Sequence, residues 1–163
     1  MSFKWYVPFL LLLAVVLPSQ AWAKFTPEQV KAVYIYRIAS FVYWNHEEQK
    51  TTINICAPDD EKVRALLVNI TKDKVIRNKP LHVTDDQCDV LYISKVENID
   101  LIQYDQANTL SISDLQSFTQ QGGVIELATT SGRIKPKVNL DNIGEYTLSA
   151  NFLRVADIEG GRQ

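Results

Sequence analysis

The sequence has little of what enzyme and metal sites are made from. Its 163 residues include two cysteines, two histidines and one methionine. His46 opens a His-Glu-Glu run, but no second histidine stands four residues on, so the zinc-protease pattern is missing. His82 alternates with apolar neighbours and reads as a surface residue of a strand. Cys56 and Cys88 lack the Cys-x-x-Cys spacing of redox catalysts. G-x-S-x-G, P-loop and G-x-G-x-x-G motifs are all absent. Gly122-Gly123 comes after a helix-like stretch and enters a strand-like one, the reverse of a phosphate loop. The carboxylates of Asp59-Asp60-Glu61 and Asp85-Asp86 read as a helix cap and a turn. No catalytic, cofactor-binding or metal-ligating residues are expected.

Charge of one sign is also scarce. The formal net charge is −2, with no charge run and no basic stripe interleaved with aromatics, so nucleic acid is not an expected partner. There is no internal repeat, no Gly/Ser linker and no low-complexity segment. With 46% hydrophobic and 22% charged residues, the composition is that of one globular domain.

The first 23 residues stand apart. Lys4 supplies a short positive region, Phe9 to Leu17 an apolar stretch broken by Pro18, and Ala21-Trp22-Ala23 a small-x-small pattern. We expect a signal peptide cleaved after Ala23, leaving residues 24–163 as a single exported domain. The rival is an uncleaved anchor, for which the apolar stretch is short against the roughly 20 residues a membrane span needs. No cysteine lies near the cut, which argues against a lipoprotein. An oxidising compartment then favours one intramolecular disulfide between Cys56 and Cys88, both beside strand-like segments. Closing that loop should stabilise by roughly 3–4 kcal/mol. A pair of reduced, buried thiols is the alternative.

The remaining pattern alternates helices and strands. Thr26-Pro27-Glu28-Gln29 is a capping box with proline at the first helical position, and Phe25 with Val30 is placed for a hydrophobic staple. This helix is expected to run to about Trp44, with Val30, Val33, Tyr34, Ile38, Phe41 and Val42 on its inner face and Ile35, Ala39 and Tyr43 widening it. A second helix is expected through Val63, Leu66, Leu67 and Ile70. Strands are expected at Ile53–Cys56, Leu81–Val83, Val90–Ile93, Thr109–Ile112, Val124–Ala128 and Arg133–Val138. The last two form a hairpin around Ser131-Gly132, and Pro136 suggests a sheet edge. Residues 98–106 read as a loop or short helix. Ser113-x-x-Gln116 should open a further helix ended by Gly122-Gly123. A last helical segment carries Leu148, Phe152, Leu153 and Val155. The sum is an α/β layered fold: a largely parallel sheet of about five to six strands with one antiparallel hairpin, flanked by helices.

The first and last helices hold more aromatic and arginine surface than one core face absorbs. Tyr36, Arg37, Tyr43 and Trp44 in the first, and Phe152 and Arg154 in the last, are the candidate interface residues.

The succession VKAVYIYRIASFVYW, INICAPDD, NKPLHV, QCDVLYIS, LSISD, QQGGVIELAT, GRIKPKVNL and LSANFLRVA resembles the YfiR-like (HmsC-like) family of periplasmic regulators, from about Val30 to Ala156. The resemblance implies a dimer of α/β domains that represses an inner-membrane diguanylate cyclase by binding its periplasmic sensor region. Cyclic-di-GMP and biofilm formation fall as a result. It further implies that in some systems an OmpA-like outer-membrane lipoprotein sequesters the repressor. Cys56 and Cys88 match the positions of a family disulfide, while a second, C-terminal bridge of some members is missing here. An alternative from the residues alone is a periplasmic small-molecule-binding module, since open α/β sheets place ligands at the carboxyl ends of their strands.

Overall fold

The computed structural model describes residues 24–161. The expected leader, the cut after Ala23 and the rival anchor lie outside the described residues. Helix α1 spans Pro27–Ala39 and starts as its sequence dictates. The Thr26 hydroxyl accepts from the Gln29 amide at 3.2 Å, and the Gln29 side chain accepts from the Thr26 amide at 2.8 Å. Phe25 stays 78% exposed, so the expected staple with Val30 does not bury it.

The helix stops well short of the expected end at Trp44. Ser40 caps it, donating its hydroxyl to the Arg37 carbonyl at 2.6 Å. Val42–Trp44 then forms strand β1, antiparallel to β9 (Tyr146–Leu148), with Val42 opposite Leu148 and Trp44 opposite Tyr146. Val42 and Trp44 point inward and Tyr43 outward, the period-two pattern of a strand. An all-apolar run of β-branched and aromatic residues satisfies either period, and the β9 partner decides between them. The inner face of α1 is correspondingly narrower than expected: Ala32, Ile35, Ile38 and Ala39 are buried, and Val33 is 43% exposed.

Strand β2 (Ile53–Cys56) leads to helix α2 (Glu61–Thr71), whose first turn is capped by Asp60 accepting from the Val63 amide at 3.0 Å. Next in the chain come strands β3 (Val75–Ile76), β4 (Lys79–Val83), β5 (Val90–Ile93), β6 (Leu110–Ser113), β7 (Ile125–Thr130) and β8 (Arg133–Asn139), with β10 (Asp157–Glu159) last. They form one sheet in the order β10-β8-β7-β6-β5-β2-β4-β3. The sheet therefore has eight strands rather than five or six. The additional two, β3 and β10, are only two and three residues long and carry too little pattern to be read.

Most neighbours are parallel, and the β7–β8 hairpin is antiparallel as expected. A second antiparallel pair, β3–β4, turns through Arg77 and Asn78, both at positive φ. Strand β10 covers β8 only over Lys137–Asn139, so Pro136 sits where the outer edge of β8 is open.

Two more expectations are corrected. Ser113 opens no helix: its hydroxyl accepts from the Leu115 amide at 2.9 Å, a local turn that competes with a cap. The chain instead forms a 3₁₀ turn, Phe118–Gln121, ended by Gly122 at φ 97°. The last helical segment shrinks to α3 (Ala150–Leu153), because Leu148 belongs to β9.

The sheet separates two cores. Val90 and Tyr92 of β5 point into the larger one, beneath α1, α2 and the β1–β9 pair, while Leu91 and Ile93 point into the smaller one. The smaller core joins Cys56, Ile102 and Phe118 beneath the 3₁₀ segments Val96–Gln103 and Phe118–Gln121.

Candidate functional site

Open parallel sheets bind ligands where neighbouring strands send their chains in opposite directions. Here that point lies between β2, which leads outward to β4, and β5, which leads to β6 on the other side. The chain fills it with its own carboxylate. Asp59 accepts from the Ser94 and Lys95 amides, each at 2.9 Å, and from the Asn98 side chain at 3.1 Å. The donors that would hold an anion are already bonded. Beyond the end of β6, Asp114 takes the Tyr92 hydroxyl at 2.7 Å and the Lys31 ammonium at 2.6 Å. Burial, and then this hydrogen bond, hold the Tyr92 phenol far above its ordinary range. Among the described residues no cluster of three or more His, Cys, Asp or Glu is placed to hold a metal ion.

A longer apolar surface lies on the α1 side. Two hollows, of 580 and 330 Å³, run along α1 and share Tyr34 and Ile134. Between them the Tyr34 hydroxyl donates to the Ile134 carbonyl at 3.0 Å. Phe25 and Val30 line the first hollow, and Phe41, Pro136 and Val155 line the second. The result is an apolar groove walled by α1 on one side and by the β7–β8 hairpin and α3 on the other.

Its charge is of one sign. Lys31 and Arg133 line the first hollow, Arg37 and Lys135 the second, and among the described residues no acidic one lines either. Lys31 and Lys135 pair with Asp114 and Asp157. Arg37 and Arg133 form no ion pair among the described residues. In a chain of net charge −2, a groove rimmed only by cations is a local feature, not an average one.

The six candidate interface residues do not share one surface. Arg37 lines the groove and is exposed. Phe152 also lines it but is 3% exposed and stacks on Phe41 with centroids 5.7 Å apart, so it supports the wall from within. Arg154 is exposed at the end of α3. Tyr36 is half-buried against the larger core, and Trp44 is 5% exposed within it. Tyr43 lies elsewhere, beneath the Arg77 guanidinium at 4.6 Å. Reading the sequence alone misses Ile134, Pro136 and Arg133 as groove residues. The alternation of Arg133, Ile134, Lys135 and Pro136 on an open strand edge is the available signal.

On the opposite face Cys56 and Cys88 are joined by a disulfide, their Cα atoms 5.6 Å apart. It ties the end of β2 to the loop that enters β5. The Cys88 carbonyl also accepts from the Thr109 hydroxyl at 2.6 Å, which anchors the same loop to the start of β6.

Architecture and groove together describe an open-sheet α/β domain with a crevice closed from within and an apolar face beside its first helix. The family model described as YfiR/HmsC-like matches residues 28–157, and the chain belongs to that family. No curated protein shows a significant match to the chain.

Proposed function

We propose that this protein is a periplasmic regulator that restrains an inner-membrane diguanylate cyclase by binding the cyclase's periplasmic sensor region. Membership of the YfiR/HmsC-like family across residues 28–157 carries this reading. Three features support it. The disulfide suits an oxidising compartment. The crevice that would hold a small anionic cofactor is closed by Asp59. The groove along α1 offers aliphatic and aromatic surface with two arginines that form no ion pair among the described residues, and aromatics and arginine dominate contact energetics.

In this reading residues 1–23 are a leader removed after Ala23, and residues 24–163 act as one domain in a homodimer. Repression proceeds by contact and not by turnover. An OmpA-like outer-membrane lipoprotein relieves it by sequestering the repressor.

Gene deletion tests the proposal. Loss of this protein should raise cyclic-di-GMP and surface attachment, and additional loss of the cognate cyclase should abolish the rise. Unchanged nucleotide levels in the single deletion, across several growth conditions, would overturn it.

A further inference from the structure

The smaller core ends at a cavity remote from the α1 groove. It lies on the face of the sheet away from α1 and has a volume of 340 Å³, within the range that takes a small organic ligand. Its floor is apolar, built from the Cys56–Cys88 bridge, Leu91, Leu101 and Ile102. Asp85, Asp86, Tyr104 and Asp105, all exposed, complete its lining. Among the described residues no lysine, arginine or histidine lines it.

Two observations set this cavity apart from an ordinary surface dent. The first is Tyr104, which is 84% exposed and so forgoes nearly all the stabilisation that burying an aromatic ring provides. An open tyrosine face beside carboxylates is the arrangement that holds organic cations, through the negative face of the ring and through Coulomb attraction. The second is the fixed shape of the wall. Gln87 lies at φ 51°, a left-handed conformation that its side chain disfavours. It is held there because its carbonyl accepts from the Asn54 side chain at 3.0 Å while its neighbour Cys88 is tied by the disulfide and by Thr109. The wall is formed before any ligand arrives.

The carboxylates differ in how far they are engaged. Asp85 pairs with Arg64 of α2 at 2.9 Å, and Asp105 accepts from the Asn108 side chain at 2.8 Å. Asp86 has no ion-pair partner among the described residues. An anion entering here would meet Asp86 and Asp105, neither in an ion pair among the described residues, and a neutral molecule would gain only the floor.

We propose that this cavity binds a small organic cation, an amine or quaternary ammonium on an apolar body. The apolar part rests on the disulfide and the Leu91–Ile102 floor. The charge sits between Asp86, Asp105 and the Tyr104 ring. The site lies across the sheet from the α1 groove, so it stands or falls independently of the partner contact.

The test is an NMR titration of the 15N-labelled protein, expressed from its full coding sequence, with 2-phenylethylamine and benzyltrimethylammonium as probes. The anion 3-phenylpropionate, of similar size, is the control. Both cations should give saturable shifts at the amides of residues 87–89 and 104–109, weakening with added salt, and the anion should give none. Tyr104→Ala and Asp86→Asn, both at exposed positions, should each raise the dissociation constant about two- to fivefold while leaving the rest of the spectrum in place. Absence of saturable shifts with either cation overturns the proposal. So does equal binding of the anion, or dissociation constants that neither variant moves.

Discussion

The Tyr34 hydroxyl reaches the Ile134 carbonyl at 3.0 Å across a sequence separation of 100 residues, and this bond divides the groove along α1 into its two hollows. Arg37 and Arg133 stand on either side of it without ion-pair partners among the described residues. Exchanging both for glutamate should leave the circular dichroism spectrum intact and weaken capture of the sensor region of the proposed cyclase partner. Truncated hot spots cost roughly 1–4 kcal/mol of association. Val96→Glu, at a residue 60% exposed outside the groove, is the matched control. Equal capture by the double variant and the control would move the contact away from this groove.

Non-reducing peptide mapping of protein isolated without reductant should recover the Cys56 and Cys88 peptides as one crosslinked species. The bond closes a sequence separation of 32, and its removal in Cys56→Ser/Cys88→Ser should cost about 2–5 kcal/mol by urea denaturation. Two alkylatable thiols in freshly isolated protein would contradict this.

Asp59→Ala removes the acceptor of two backbone amides and the Asn98 side chain at once. Leaving such donors unpaired in a half-buried position should destabilise by about 1–3 kcal/mol. The readout is the denaturation midpoint. Asp59→Asn retains one acceptor oxygen and should recover part of the loss. A midpoint unchanged in Asp59→Ala would show that water replaces the carboxylate freely.

Folding lowers the Glu47 carboxyl below its ordinary 4.5, chiefly through the hydrogen bond from Arg77, against the opposing effect of desolvation. A carboxyl whose value falls on folding contributes stability that is fully present above its ordinary value. That contribution is lost as the pH drops through the lower, folded value. Wild type should therefore exceed Glu47→Gln in stability near neutrality, and the two should converge in acid. A gap independent of pH would assign the difference to packing instead.

Much of this fold is legible in the chain because its signals are local. The Thr26–Gln29 box, the Asp60 cap and the apolar runs of β5 and β7 each declare themselves within a few residues. The failures are equally specific. Phe41 to Trp44 is apolar throughout and fits a helix until β9, roughly a hundred residues later in the chain, pairs with it. Ser113 resembles a cap until its hydroxyl bonds two residues ahead instead of three. The resemblance to the YfiR/HmsC-like family is read from the order of whole segments, which survives errors at their ends, and the family model matches residues 28–157. The groove is only half visible: Arg37 and Phe152 stand out by residue type, whereas Ile134 and Pro136 acquire their role only when the hairpin folds back beside α1.

The groove's two walls lie far apart in sequence, residues 25–41 on one side and 129–155 on the other. A fragment that carries only one of these stretches presents only one wall. Any partner that reads both walls engages only a copy in which the two stretches have folded together. Fragments left by proteolysis cannot compete for the same binding position.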